Sequence, residues 1–316
     1  MFAARGIAVS FSVFVLVYLG LSLAVACAWR RLWVYSRRYP VRRSADLLFT
    51  LRVFPLLAAA TVTAAFTVPS FLLLEPRSID EPIGGIPLAL GLAGCLLAAF
   101  GMMNAGLAVM RASRTITEWL SEAKLVDASG PVPVLRISRV IPALTAAGIL
   151  RPKVLVSSTA EFILTEKELH TALRHELAHV RRRDNLKKLA LRLVAFPGMA
   201  GLEQAWLEMT EMAADDAAVS SPGEALDLAA ALIKLSRLSP PQPSTELTMS
   251  LVHSPAASVN ARVERLIGWS EERELPAHGY SAWYALGAGV AVVAAFAVTY
   301  SQLLMHVHTA TEWLVR

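Results

Sequence analysis

The sequence predicts a polytopic α-helical membrane protein of four transmembrane helices, with a mainly helical α+β domain inserted between helices 3 and 4. Three observations lead there. Hydrophobic residues make up 55% of the 316, only 17% are charged and the mean hydropathy is +0.50, a surplus of apolar area that needs lipid to cover it. Four apolar runs are long enough to span a bilayer at about 1.5 Å per residue. Residues 111–280 hold 20 basic and 20 acidic side chains, so the whole net charge of +5 flanks the apolar runs. A pI near 9.4 is therefore a topology signal, and no direct nucleic acid binding is expected. The same numbers exclude a disordered chain and a simple soluble enzyme, and two cysteines, Cys27 and Cys95, make no disulfide framework.

The runs cover residues 7–29, 53–74, 83–110 and 281–305. The first is followed by arginines, the flank of a stop-transfer span rather than of a cleaved leader. Between runs one and two lie Arg30, Arg31, Arg37, Arg38, Arg42 and Arg43 against the single acid Asp46, which places this loop on the cytoplasmic side of the membrane. The next loop, with Glu75, Asp80 and Glu81 against Arg77, suits the opposite side. Both termini are then extracytoplasmic, and residues 111–280 are cytosolic. The third run exceeds the bilayer and is expected to tilt or end early. Gly101 with Ala105, and Gly287 with Ala291, have the small-residue spacing of close helix contacts, which permits a homo-oligomer without indicating one.

The organisation that follows is a membrane domain at 1–110, the inserted domain at 111–280, the fourth span at 281–305 and a short tail at 306–316. In the insert, residues 132–138 and 153–158 read as strands, with a turn region punctuated by Pro142 and Gly148 between them. Thr165 with Glu168 forms a capping box that opens a helix through Leu169, Leu173, Leu177 and Val180. Two further helices follow at 201–220 and 222–238, then a proline-rich linker from Ser239 to Pro243.

The chemistry sits on the capped helix. His175-Glu176-Leu177-Ala178-His179 is an H-E-x-x-H pattern. Residues four apart share a helix face, so both imidazoles reach one Zn²⁺ while Glu176, one step round, faces the bound water. A catalytic zinc takes three protein ligands and leaves one open position. Glu211 is the candidate third ligand, and Asp215, one turn on, the acceptor that orients a ligand imidazole. Glu208 on the same face is the rival, and spacing does not separate the two. The strand at 153–158 is a candidate to hold a substrate backbone as an added strand. His253 and Arg262 are candidates for oxyanion stabilisation or substrate binding. The run Arg181-Arg182-Arg183 with Lys187 and Lys188 reads as a solvated helix end, with lipid headgroups as a second reading.

The stretch PALTAAGILRPKVLVSSTAEFILTEKELHTALRHELAHVRRRDN, followed by EMAAD at 211–215, resembles the membrane gluzincin metallopeptidases of the BlaR/MecR antirepressor type. The resemblance implies a zinc endopeptidase with one Zn²⁺ per chain on His175, His179 and Glu211. It also implies Glu176 as general base, Asp215 behind a ligand, and Arg182 and Asp184 as structural residues. Its protein substrate would be a cytosolic repressor of the BlaI/MecI kind or the chain itself. Only eleven residues follow Met305, with no penicillin-binding sensor domain, so a separate sensor protein is the expected trigger. Membrane quality control of the HtpX type is the alternative enzyme reading. A non-catalytic receptor or scaffold with a structural zinc fold is the alternative of another class.

Overall fold

The computed structural model describes residues 2–36, 38–76, 84–127, 132–138, 143–194, 196, 198–238, 249–250, 256–269 and 299–311. Three helical stretches are long and apolar enough to cross a membrane: Phe2–Tyr35, Val41–Leu74 and Gly85–Leu120. The first is α1 (Phe2–Ser36). The second runs as α2 (Val41–Val62), a π-helical turn (Thr63–Thr67) and α3 (Val68–Leu74), and the third is α4 (Gly85–Leu120). Each extends beyond the run that predicts it. Hydropathy marks the length matched to lipid, whereas the helix continues until something stops it, and neither 30–36 nor 111–120 contains proline or glycine. The third run does not end early; at 36 residues α4 is about 54 Å long, nearly twice a bilayer core of about 30 Å. Most of the expected fourth span, 281–298, lies outside the described residues, and 299–311 are helical.

The chain divides into two compact units. One comprises residues 1–29, 51–100 and 275–316. In it α4 lies so close to α1 that a Cβ on Gly94 would stand 2.7 Å from the carbonyl oxygen of Phe11. The π turn has a local cause. Pro69 has no N–H to donate to Ala65, four residues back, and the freed Ala65 carbonyl instead accepts from the Tyr300 hydroxyl at 2.7 Å. Arg5 pairs with Glu75 at 3.0 Å, with both side chains largely buried.

The other unit comprises residues 30–50 and 101–274 and contains the arginine-rich loop as well as the insert. Its sheet has the order β1-β2-β4-β3-β5, formed by Lys124–Asp127, Val134–Ile137, Leu144–Ala147, Lys153–Ser157 and Met249–Ser250, numbered along the chain. β2 and β4 are parallel; the other pairs are antiparallel. Successive β4 side chains face opposite ways. Val154 and Val156 join the main core with Ala172, Leu228, Leu232, Leu235 and Leu266, while Leu155 faces Ile116, Trp119 and Leu120 at the end of α4. The overlong α4 thus covers one face of the sheet. Its small side chains Ala108 and Ala112 meet Ile149 and Leu189.

Two expectations change here. The region read as a turn between Pro142, which lies outside the described residues, and Gly148 contains β3, wholly buried, and the strand is followed by Gly148 with φ 96°. Its sequence, Leu-Thr-Ala-Ala, has weak strand propensity, and tertiary packing overrides it. The strand expected to hold substrate, β4, is bonded to β2 on one side and β3 on the other, as its continuous apolar Val-Leu-Val suits, so it offers no free edge.

Candidate metal centre

After the short helix α5 (Ser158–Ile163), helix α6 (Glu166–Arg182) starts at the expected capping box: the Thr165 hydroxyl accepts from the Glu168 N–H and the Glu168 carboxylate accepts from the Thr165 N–H. It ends at Arg183, the non-glycine residue with positive φ (55°) among the described residues. This left-handed step turns the chain directly into α7 (Asp184–Leu193), so that Asp184 comes back to His179. Helix α8 (Ala200–Ala218) brings Glu211 and Asp215, one turn apart, against the same side of α6. Then come α9 (Pro222–Leu238) and α10 (Ala256–Ile267), which carries Arg262.

These elements collect His175, His179 and Glu211, all buried, with one ligand atom from each within 4.8 Å of the others. The two Nε2 atoms are 3.1 Å apart, Glu211 Oε2 is 3.5 Å from His175 Nε2, and Glu211 Oε1 is 3.7 Å from His179 Nε2. Glu208 accepts a hydrogen bond from Gln204 instead, so Glu211 is the one of the two glutamates that stands beside the histidines. His175 Nδ1 has Asp215 Oδ1 at 2.9 Å, and His179 Nδ1 has Asp184 Oδ2 at 2.9 Å. With Nδ1–H on both rings, two bare Nε2 atoms would face each other at 3.1 Å. Such an approach needs either a proton on one of the two nitrogens or a cation between them. Nitrogens bonded tetrahedrally to zinc at about 2.0–2.1 Å stand about 3.3 Å apart, so the donor set fits a metal of that size.

Glu176 is buried beside this cluster. Its Oε2 accepts from the Ala146 N–H of β3 at 2.6 Å, while its Oε1 is buried with no hydrogen-bond partner. Burial pushes its carboxyl above the usual range. For His175, burial pulls the pKa down, but Asp215 and Glu211 outweigh it and raise it to about 9. Burial likewise opposes ionisation of Glu211, yet the Arg262 guanidinium and the histidines bring it to about 2.

The candidate residues fall out unequally. His175, Glu176, His179, Glu211, Asp215 and Arg262 come together; His253 lies outside the described residues. Arg262 is 1% exposed and turned toward the carboxylates: Nε and Nη2 bond Asp215 at 2.7 and 2.6 Å, and Nη1 is 3.0 Å from Glu211 Oε2. The basic run is a solvated helix end only in part: Arg181 and Arg183 are exposed, whereas Arg182, Lys187 and Lys188 are partly buried. Arg182 is 9% exposed, between Asp184 at 3.6 Å and Asp46 at 3.7 Å, because the first turns of α2 bring Asp46 against it. Half-buried Lys188 is pulled by desolvation to about 8, against the opposing pull of Glu211 and Asp184.

Three roles were missed in the sequence: Asp184 as the partner of His179, Asn185 as a pin on β3, and Arg262 as the partner of two carboxylates. Asn185 donates to the carbonyls of Ala146 and Gly148, both at 3.0 Å. The spacing from His179 to Asp184 could have signalled the first, since a ligand imidazole needs an acceptor on its other nitrogen.

Residues 81–266 match the family model of the BlaR1 peptidase M56, from before α4 to the end of α10. The chain belongs to the BlaR1 peptidase family. No curated protein matches it. As a BlaR1-type peptidase with three candidate membrane-spanning helices, the chain is a membrane metallopeptidase with a metal cofactor and a protein substrate.

Proposed function

We propose that this BlaR1-type peptidase is a zinc endopeptidase of the bacterial inner membrane, with a cytosolic active site, that works in signal transduction by cleaving a BlaI/MecI-like repressor or itself. The observation that carries the chemistry is the buried His175–His179–Glu211 donor set beside a glutamate with one unbonded, buried oxygen. His175, His179 and Glu211 hold the metal in this reading. A zinc ion there supplies Lewis acidity and brings a water's pKa toward neutrality. Glu176, steadied at Oε2 by Ala146, takes the water's proton at Oε1 and passes it to the leaving amine. A carboxyl raised by burial is suited to both steps, because it neither holds the proton too weakly nor releases it too slowly. Asp215 and Asp184 keep each ligand imidazole in the tautomer with a bare Nε2.

The self-cleavage branch has its own support. β5, a segment of the same chain, pairs antiparallel with β3, the strand whose Ala146 steadies Glu176. Strand addition is a general way to present a peptide backbone, and β3 rather than β4 is the strand so used.

The test is metal content by elemental mass spectrometry on the detergent-purified protein, beside His179→Ala and Glu211→Ala. One zinc per chain in the wild type, lost in both variants, supports the site; a wild type without zinc after refilling would leave the receptor reading. Glu176→Gln should keep its zinc and lose peptidase activity by roughly 10²–10⁴-fold. Intact masses then separate the substrates: a chain cut in the wild type and whole in Glu176→Gln indicates self-cleavage, and a single stabilised repressor in the variant's proteome indicates the other branch. Many stabilised proteins would favour quality control.

A further inference from the structure

Arg262 has more contacts within the metal centre than any role at a substrate would need. All three of its nitrogens are used on two carboxylates, the candidate ligand Glu211 and the histidine-orienting Asp215, in a setting from which water is excluded. The fork geometry explains the residue type. A planar guanidinium donates two parallel bonds to Asp215 through Nε and Nη2 and keeps Nη1 for a second acceptor, which an ammonium on a single-point stem does not reproduce. The contact to Glu211 falls on Oε2, so one carboxylate oxygen is held by α10 while the other remains on the side of His179. The same guanidinium fixes Asp215, whose Oδ1 stands behind His175. One side chain therefore orients two of the three donors, directly for Glu211 and through Asp215 for His175.

From this we infer that Arg262 is a positioning residue of the metal centre, a clamp that sets the orientation of Glu211 and of the Asp215–His175 pair. This rests on the zinc-site reading above and assigns Arg262 a place behind the ligands, distinct from the oxyanion role. The sign of its effect on metal binding separates two accounts. A cation acting only through its charge repels a metal ion, and removing it would tighten binding. A clamp that orients donors does the opposite, and loss of such a partner typically weakens binding by roughly 10–100-fold.

The experiment uses full-length protein in detergent, stripped of metal and titrated with cobalt(II) for its visible spectrum and with zinc against a chromophoric chelator. Arg262→Gln keeps length and polarity without the charge or the fork; Arg262→Lys keeps the charge alone. The clamp predicts a zinc affinity lower by roughly 10–100-fold in Arg262→Gln. It also predicts a cobalt spectrum altered in both variants, with Arg262→Lys failing to restore the wild-type bands. Wild-type spectra with unchanged or tighter zinc binding would overturn the inference. If Arg262→Gln does not fold, Arg262→Lys decides on the same criteria; if neither folds, Arg262 is a folding element and the inference fails. A wild type that binds neither metal would sink the zinc-site reading itself, an outcome separate from all of these.

Discussion

His175 and His179 each present Nδ1 to a carboxylate at 2.9 Å, but the two carboxylates are anchored differently. Asp215, behind His175, is bound through both oxygens by the fully buried Arg262. Asp184, behind His179, has only longer ionic contacts on its other oxygen, Arg182 at 3.6 Å and Lys187 at 3.7 Å. Those two cations also reach Asp46, which is 51% exposed and lies in the first turns of α2. The same ligand type is thus supported by a closed pair on one side and, on the other, by a buried aspartate whose longer contacts run out to an exposed one. The difference teaches where the centre tolerates change: both aspartates are out of water, so the shorter hold on Asp215 ranks it above Asp184, and the outer pair to half-exposed Asp46 is screened and loses little.

Breaking the donor set itself should have the largest effect. His175→Ala and His179→Ala should each reduce bound zinc from one per chain to a small fraction, read by elemental mass spectrometry. Retention of full zinc by either would dissolve the comparison, because that histidine would not be a ligand. Next come the carboxylates. Asp215→Asn should weaken zinc by roughly 10–100-fold in chelator competition. Asp184→Asn should fall at or below the lower end of that range, and a larger loss from Asp184→Asn than from Asp215→Asn would reverse the ranking of the two anchors. Thr165→Ala removes a cap of α6 without touching either anchor and should cost about 1 kcal/mol of stability by chemical denaturation, with zinc affinity in the folded state unchanged. The smallest effect belongs to Asp46→Asn. Half-exposed as its side chain is, it should change stability by about 0–1 kcal/mol, less at high salt, and a loss as large as that of Asp184→Asn would show that the outer pair is held as tightly as the buried aspartate.

Much of this centre could be read in the chain because its signals are local. The two histidines and Glu176 lie within five residues on one helix, and the capping box that starts this helix spans four. Glu211 and Asp215 are again one turn apart on a single helix. What lay beyond reach had to cross from one element to another. Arg262 is 47 residues from Asp215, and nothing in α10 distinguishes it from Arg265, which pairs with Asp216 a turn away. Asp46 is 141 residues from Lys187. β3 escaped notice because Leu-Thr-Ala-Ala carries no strand signal of its own; its small side chains suit the close approach of α6 and α7, which bond to its backbone through Glu176 and Asn185.

The amino-acid sequence alone determined the membrane character, three candidate spans, and the local pattern that puts His175, Glu176 and His179 on one turn of a helix. Those follow from hydropathy and from 3.6-residue periodicity, which act over neighbouring residues. Tertiary structure alone decided that Glu211 rather than Glu208 meets the histidines, that α4 runs on to cover the sheet, and that Arg262 joins Asp215 with Glu211. These depend on which buried polar groups find partners once the chain is packed, and a buried charge takes its partner wherever the fold delivers one.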